Sequence, residues 1–226
     1  MAGMKFDDPL AGGDLPGARR PHFDKPGKIV CIGRNYREHA RELGNEVPAE
    51  PLFFLKPSTS VIHDGDPIIL PEQSERVEFE GEIGVVIDRR LTKASESDAR
   101  DAIRGIAALN DVTARDLQKK DSQWTRAKGF DSFCPIGEIA TIDGDLAALT
   151  VITRVNGAER QRAPASEMVF TIPFLLSYVS HVMTLEPGDI VATGTPAGVG
   201  ALADGDVVEV EIDGLSKVSN PVRRSS

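Results

Sequence analysis

Three glutamates spaced two residues apart, Glu78, Glu80 and Glu82, stand in the segment Val77-Glu78-Phe79-Glu80-Gly81-Glu82. Apolar and polar residues alternate there and then give way to the apolar run Ile83-Gly84-Val85-Val86-Ile87, which predicts one β-strand over about residues 77–87. On such a strand the three carboxylates share a face about 6.6 Å apart. At an effective dielectric near 20, neighbours then repel by roughly 2.5 kcal/mol. Acids leading into a buried strand must be solvated, protonated or given a cation. Hard divalent cations take oxygen ligands, and Mg2+ uses few carboxylates while keeping several waters. Two strand-spaced carboxylates plus one distant acid meet that demand, and Mg2+ and Mn2+ suit such ligands equally. The distant acid is Asp111, which follows the apolar Ala108-Leu109 where a strand end would present it to a cleft. The competing readings are a solvated strand face for the glutamates and a turn-forming role for Asp111.

His39 and Glu42 are three residues apart, so on a helix the carboxylate can orient the imidazole and raise its basicity, a water-activating pair. The alternative is an exposed charged helix with an incidental histidine. Lys128, between Ala127 and Gly129-Phe130, can enter a pocket and stabilise an enolate, or stand on the surface. Lys56, before Pro57, admits the same two readings, with the surface one favoured. The loop from Thr193 to Gly200 can hold an anion with backbone N–H groups and threonine hydroxyls, although it lacks the Lys-Ser/Thr ending of a P-loop.

The elements that position these groups are short. Strands are expected at residues 28–33, 52–55, 106–112, 150–155, 189–193 and 207–212, and a hairpin at 61–70 around His63-Asp64-Gly65-Asp66. Two helical turns are expected at 36–43, stopped by Gly44-Asn45. A helix capped by Ser95 or Ser97 should reach about Ala108, with Ala102, Ile103, Ile106 and Ala107 facing inward. Asn156-Gly157 marks a tight hairpin turn, and Pro173 begins a helix through about Met183. There is no sustained βαβ alternation and no internal repeat. The expected class is therefore α+β, strand-dominated, with residues 1–23 an irregular N-terminal arm and 24–226 a single domain.

Composition narrows the function. A net charge of -9 over 226 residues argues against nucleic-acid or anionic-membrane partners. Cys31 and Cys134 lie in apolar contexts and read as free buried thiols of a reducing compartment. The first twenty residues hold no apolar signal-peptide core and no run approaches a membrane span, so a soluble cytoplasmic protein is expected.

Several segments, taken in order, resemble the fumarylacetoacetate hydrolase family. They are Gly33-Arg34-Asn35-Tyr36 with His39 and Glu42, Phe54-Leu55-Lys56-Pro57, Glu80-Gly81-Glu82, Asp111 to Asp116, Trp124 to Lys128, Val155-Asn156-Gly157, and Pro187-Gly188-Asp189 with Thr193 to Pro196. The likeness is to the short members such as acylpyruvate hydrolases and oxaloacetate decarboxylases. It implies a mixed β-roll with peripheral helices, assembled as a homodimer. It implies that Glu80, Glu82 and Asp111 bind Mg2+ or Mn2+, with Glu78 outside that set. His39 and Glu42 then form the catalytic dyad on a lid segment, Lys128 is the pocket lysine, and Arg34, Gln118 and Thr195 contact substrate. The implied reaction is metal-dependent C–C hydrolysis of acylpyruvate-type 2,4-dioxo acids through an enolate. Oxaloacetate decarboxylation or tautomerisation, or isomerisation of a 2-hydroxy-diene-dioate, is the alternative for a 2-oxo acid substrate. After Arg160-Gln161 the run Arg162-Ala163-Pro164-Ala165-Ser166 departs from the Gly/Asn-rich turn of many members, which bears on substrate preference.

Overall fold

Short apolar runs punctuated by glycine, proline and aspartate leave little room for long helices, and most of them become strands. The structure, a computed structural model, describes residues 25–42, 44 and 46–225. The arm expected over 1–23 lies outside the described residues, as do Leu43 and Asn45 at the expected end of the first helix. In chain order the first half holds β1 (Ile29–Gly33), α1 (Arg37–Glu42), β2 (Leu52–Lys56), β3 (Val61–Ile62), β4 (Ile68–Leu70), β5 (Val77–Phe79), β6 (Gly81–Ile87), α2 (Glu96–Asp101) and β7 (Ile103–Asn110). Then follow β8 (Thr113–Ala114), α3 (Arg115–Lys120), α4 (Thr125–Lys128), β9 (Cys134–Pro135), β10 (Thr150–Val155), β11 (Ala158–Pro164), α5 (Ile172–Val182), β12 (Ile190–Ala192), β13 (Gly200–Ala201), β14 (Val207–Ile212) and β15 (Ser216–Arg224).

Two five-stranded sheets dominate, ordered β2-β1-β12-β6-β7 and β11-β10-β14-β15-β4. Both are mixed, because β1 pairs parallel with β12 and β15 parallel with β4. Ile83, Val85 and Ile87 of β6 pack with Val151, Val210, Ile212 and the α5 residues Leu175, Leu176 and Val179 in one core. The opposite face of the first sheet buries Ile29, Cys31, Val86, Ala107, Leu109 and Cys134 in another. Two-sided burial is why β6 and β7 read as unbroken apolar runs, and each fully buried Ile, Leu or Val contributes roughly 1.5–3 kcal/mol. Both cysteines are free and buried, as expected. Asn156 and Gly157, both at positive φ, make the expected turn between β10 and β11. Thr171 caps α5, with Pro173 in its first turn. Among the described residues no helix is long and apolar enough to cross a membrane.

Three expectations fail. The acidic segment is not one strand: it breaks at Glu80, with β5 pairing with β8 and β13 while β6 pairs with β12 and β7. The break is pinned by hydrogen bonds from the Glu80 N–H to Asn110 Oδ1 (2.9 Å) and from the Asp111 N–H to Glu80 O (2.8 Å). Glu78 and Glu82 therefore belong to different sheets. The helix starting at Ser95 ends at Asp101, and Ile103 onward is β7. Ile106, Ala107, Ala108 and Leu109 are all fully buried, and four consecutive buried positions suit a strand between two layers, not one face of a helix. The hairpin at 61–70 does not form either, since β3 pairs with β9 and β4 with β15. The turn between them docks on β15 instead, where Asn220 Nδ2 donates to His63 O and Asp66 O, both at 2.8 Å.

Candidate active site

The chain leaves β1 through Arg34, at a φ of 59°, and Asn35, which is fully buried. Asn35 Nδ2 donates to Thr193 O (2.8 Å) and Phe170 O (3.1 Å), while its Oδ1 accepts from Phe170 N–H (2.8 Å). Those bonds fix where α1 sets out over the site. On α1, His39 is buried and its Nδ1 lies 3.4 Å from Glu42 Oε2. Glu42 accepts the Gly198 N–H on both oxygens, at 3.1 and 3.2 Å, which ties α1 to the Gly-rich loop. The helix is exposed at Arg37, Glu38, Arg41 and Glu42, as the alternative reading has it, but His39 itself is buried and faces the cavity. Burial is the main cause that lowers the His39 pKa below 6.5, against an opposing pull from Glu80.

Glu80 and Glu82 flank Gly81 at the strand break, and Asp111 follows β7, where β6 and β7 pair Gly81 with Asn110. One oxygen from each of the three acids lies within 4.8 Å of the others, and all three residues are buried. Gly81 is required there, because a Cβ would stand 1.9 Å from Thr153 Oγ1. Lys128 Nζ donates to Glu80 Oε2 (2.7 Å) and Asp111 Oδ2 (2.6 Å), and Lys56 Nζ to Asp111 Oδ1 (2.6 Å). Arg115 meets Glu80 and, at 2.7 Å, Glu78, whose other oxygen takes Arg76. Burial would raise the Glu80 pKa, but Lys128 and Arg115 outweigh it and hold the acid far below the usual carboxylate range. Burial likewise opposes charge on Lys128, yet Asp111 and Glu80 keep it a firm cation.

Glu82 differs. Among the described residues it has no cationic partner within salt-bridge distance, only the Gly194 N–H at 2.8 Å. Burial, Asp111 and Glu80 all push its pKa well above the ordinary value. A buried carboxylate left without a counter-charge, in a cluster offering oxygen ligands alone, fits a hard divalent cation.

These groups open on a cavity of about 410 Å3 lined by Arg34, His39, Glu42, Glu80, Glu82, Gln118, Lys128 and Thr195. Eight of the nine residues to which the resemblance gives site roles therefore meet there, and the ninth, Asp111, is bonded to Lys128 just behind the lining. Phe54 and Trp124, edge to face at 5.3 Å, form an apolar wall. The surface reading of Lys56 is wrong: its ammonium is buried against Asp111 and Val112 O. Arg115 was not anticipated, although its place four residues after Asp111 at the start of α3 carried the signal.

A sequence model described as fumarylacetoacetate (FAA) hydrolase C-terminal matches residues 28–223. The oxaloacetate tautomerase FAHD1, mitochondrial, of Rattus norvegicus is 42% identical over 203 residues, 87% of this chain and 92% of the rat protein. The crystal structure of 5-carboxymethyl-2-hydroxymuconate delta-isomerase from Mycobacterium smegmatis superposes with a TM-score of 0.83 at 42% identity, covering 89% of this chain and 80% of that one. Fumarylpyruvate hydrolase from Pseudomonas aeruginosa, solved with Mn2+ and pyruvate, superposes with a TM-score of 0.83 at 31% identity, covering 88% of this chain and 91% of that one. With this fold, a buried acidic triad that borders one cavity through Glu80 and Glu82, and a family match over most of its length, the chain belongs to the fumarylacetoacetate hydrolase family.

Proposed function

We propose that the protein is a divalent-metal-dependent hydrolase that cleaves a C–C bond in acylpyruvate-type 2,4-dioxo acids. The observation that carries this reading is that His39, buried and paired with the more exposed Glu42, faces the same cavity as Lys128 and two of the three clustered acids, Glu80 and Glu82. Glu80, Glu82 and Asp111 would hold Mg2+ or Mn2+. Bound there, the ion would supply Lewis-acid polarisation of the substrate's oxo group. Glu42 at Nδ1 leaves Nε2 of the neutral His39 to take a proton from water, and it stabilises the imidazolium that results. The water oxygen attacks the distal carbonyl, the C–C bond breaks, and the pyruvate half departs as an enolate whose charge faces Lys128. A proton returned to the enolate carbon completes the reaction. Arg34, Gln118 and Thr195 line the cavity and would orient the acid.

A second reading is tautomerisation or decarboxylation of oxaloacetate, or isomerisation of a 2-hydroxy-diene-dioate, which needs the enolate but no attacking water. It is favoured by the higher identity to the rat tautomerase and the mycobacterial isomerase, 42% each, than to the hydrolase at 31%. A panel of acylpyruvates and oxaloacetate, run with Mg2+ or Mn2+ and with chelator, separates the readings by product. Pyruvate plus a carboxylic acid marks hydrolysis, carbon dioxide marks decarboxylation, and keto–enol exchange without loss of carbon marks a tautomerase. No metal-dependent turnover of any of them overturns both.

A further inference from the structure

Gln161 lies on β11 behind the acids, 1% exposed, and the chemistry above makes no use of it. Its Oε1 accepts the Gly81 N–H at 3.0 Å, and its Nε2 donates to Thr195 Oγ1 and to Pro196 O, each at 2.8 Å. The amide can stand only this way round, because a backbone N–H must donate and a carbonyl must accept. Thr195 Oγ1 then donates its own proton to Gly81 O at 2.8 Å. The ring closes on Gly81, the residue between Glu80 and Glu82. Thr195 belongs to the loop whose Gly194 N–H holds Glu82 and whose Gly198 N–H holds Glu42. That loop lies directly on β11: a Cβ at Gly198 would stand 2.1 Å from Arg160 O.

The geometry points to Gln161 as a positioning residue. Its amide locks the peptide carrying Glu80 and Glu82 to the loop that steadies Glu82 and Glu42, and it commits the Thr195 hydroxyl proton to Gly81 O. Thr195 can then meet a substrate through its hydroxyl only as an acceptor. The inference rests on the reading of the three acids as a cation site.

Calorimetric titration with Mn2+ alone tests it without turnover. Gln161→Met fills the same space without hydrogen bonds and should weaken Mn2+ binding about tenfold, the low end for losing a group that orients a ligand. Thr195→Val should weaken binding in the same direction, and Thr195→Ser, which restores the hydroxyl, should return it to the wild-type Kd. A folded Gln161→Met protein with the wild-type Kd overturns the inference even if its Tm falls, since that is what a merely structural glutamine would do. Should that variant fail to fold, the threonine pair decides: loss in Val with recovery in Ser supports the inference, and equal affinities overturn it. Wild-type protein that binds no Mn2+ overturns the cation site itself, so the two failures are distinguishable.

Discussion

Burial shifts Glu82 and His39 in opposite directions, because it disfavours the charged form of each. The Glu82 carboxyl is raised by burial and by the neighbouring Asp111 and Glu80, so the folded protein binds its proton more tightly than the unfolded chain does. That contribution to stability is complete below the ordinary carboxyl value of about 4.5 and is lost as pH rises through the folded value. Glu82→Gln removes the charge but keeps the shape. In the absence of metal it should raise Tm at pH 7 by about 2–4 °C, the shift that about 1 kcal/mol produces in a chain of this size. The gain should widen as pH is raised, and thermal scans across pH read it directly. The same variant should lose most of its Mn2+ affinity in calorimetry, which would show an acid kept at a cost to the metal-free fold. His39 is pushed the other way, so its imidazole stays neutral to lower pH than a free histidine. A base works in its neutral form. The acid limb of kcat/KM for hydrolysis should therefore have its midpoint below 6.5, the ordinary histidine value. His39→Ala should lower hydrolysis by about 10²–10⁴ and leave metal-dependent decarboxylation of oxaloacetate largely intact. Equal loss in both reactions would count against water activation as its role.

Elements show where local rules governed and where they did not. Ser95 accepts from the Asp98 N–H at 3.2 Å, Asn156-Gly157 turns β10 into β11, and Thr171 with Pro173 opens α5. Those signals act within a few residues, so the chain alone displays them. The break at Glu80 depends on partners thirty residues away, Asn110 and Asp111, and alternation of residue types carries no trace of it. Lys56 is hidden for the same reason: only the meeting of the β2 end with Asp111, fifty-five positions on, turns a lysine beside a proline into a buried cation. The residues that converge on the cavity were more legible than the strands around them. Paired acids, a His–Glu spacing and a resemblance spread over many short motifs do not depend on sheet membership. The break has a mechanical consequence as well. At Gly81 the peptide passes so close to β10 that a Cβ would overlap Thr153 Oγ1 at 1.9 Å. Gly81→Ala should therefore cost about 1–3 kcal/mol, as overpacking does. Adding Thr153→Ala removes that oxygen and should recover part of the loss. Urea unfolding of the two single variants and the double variant measures the coupling, and strict additivity would place the strain elsewhere.

At the scale of the whole molecule the candidate cation site joins segments that the chain keeps apart. Glu80 and Glu82 come from the β5–β6 junction and Asp111 from the end of β7, while Lys56 closes β2 and Lys128 closes α4. Lys128 bridges Glu80 to Asp111, so the protein supplies part of its own neutralisation, but no lysine or arginine among the described residues reaches Glu82. A cation shared by all three acids replaces their mutual repulsion with attraction, and it does so only in the folded chain, where the acids converge. Binding confined to the folded state stabilises it by mass action, by about 2.7 kcal/mol when free metal is a hundred times Kd. In a protein of this size that amounts to a rise in Tm of about 5–10 °C. Differential scanning calorimetry with Mn2+ should show that rise, chelator should abolish it, and Glu82→Gln should be nearly unresponsive because its cluster has lost the acid that lacked a counter-charge. A Tm that ignores Mn2+ in the wild-type protein would mean that Lys128, Lys56 and Arg115 already satisfy the cluster. The acids would then be a structural ion network at the bottom of the cavity, and the chemistry proposed for it would have no metal to draw on.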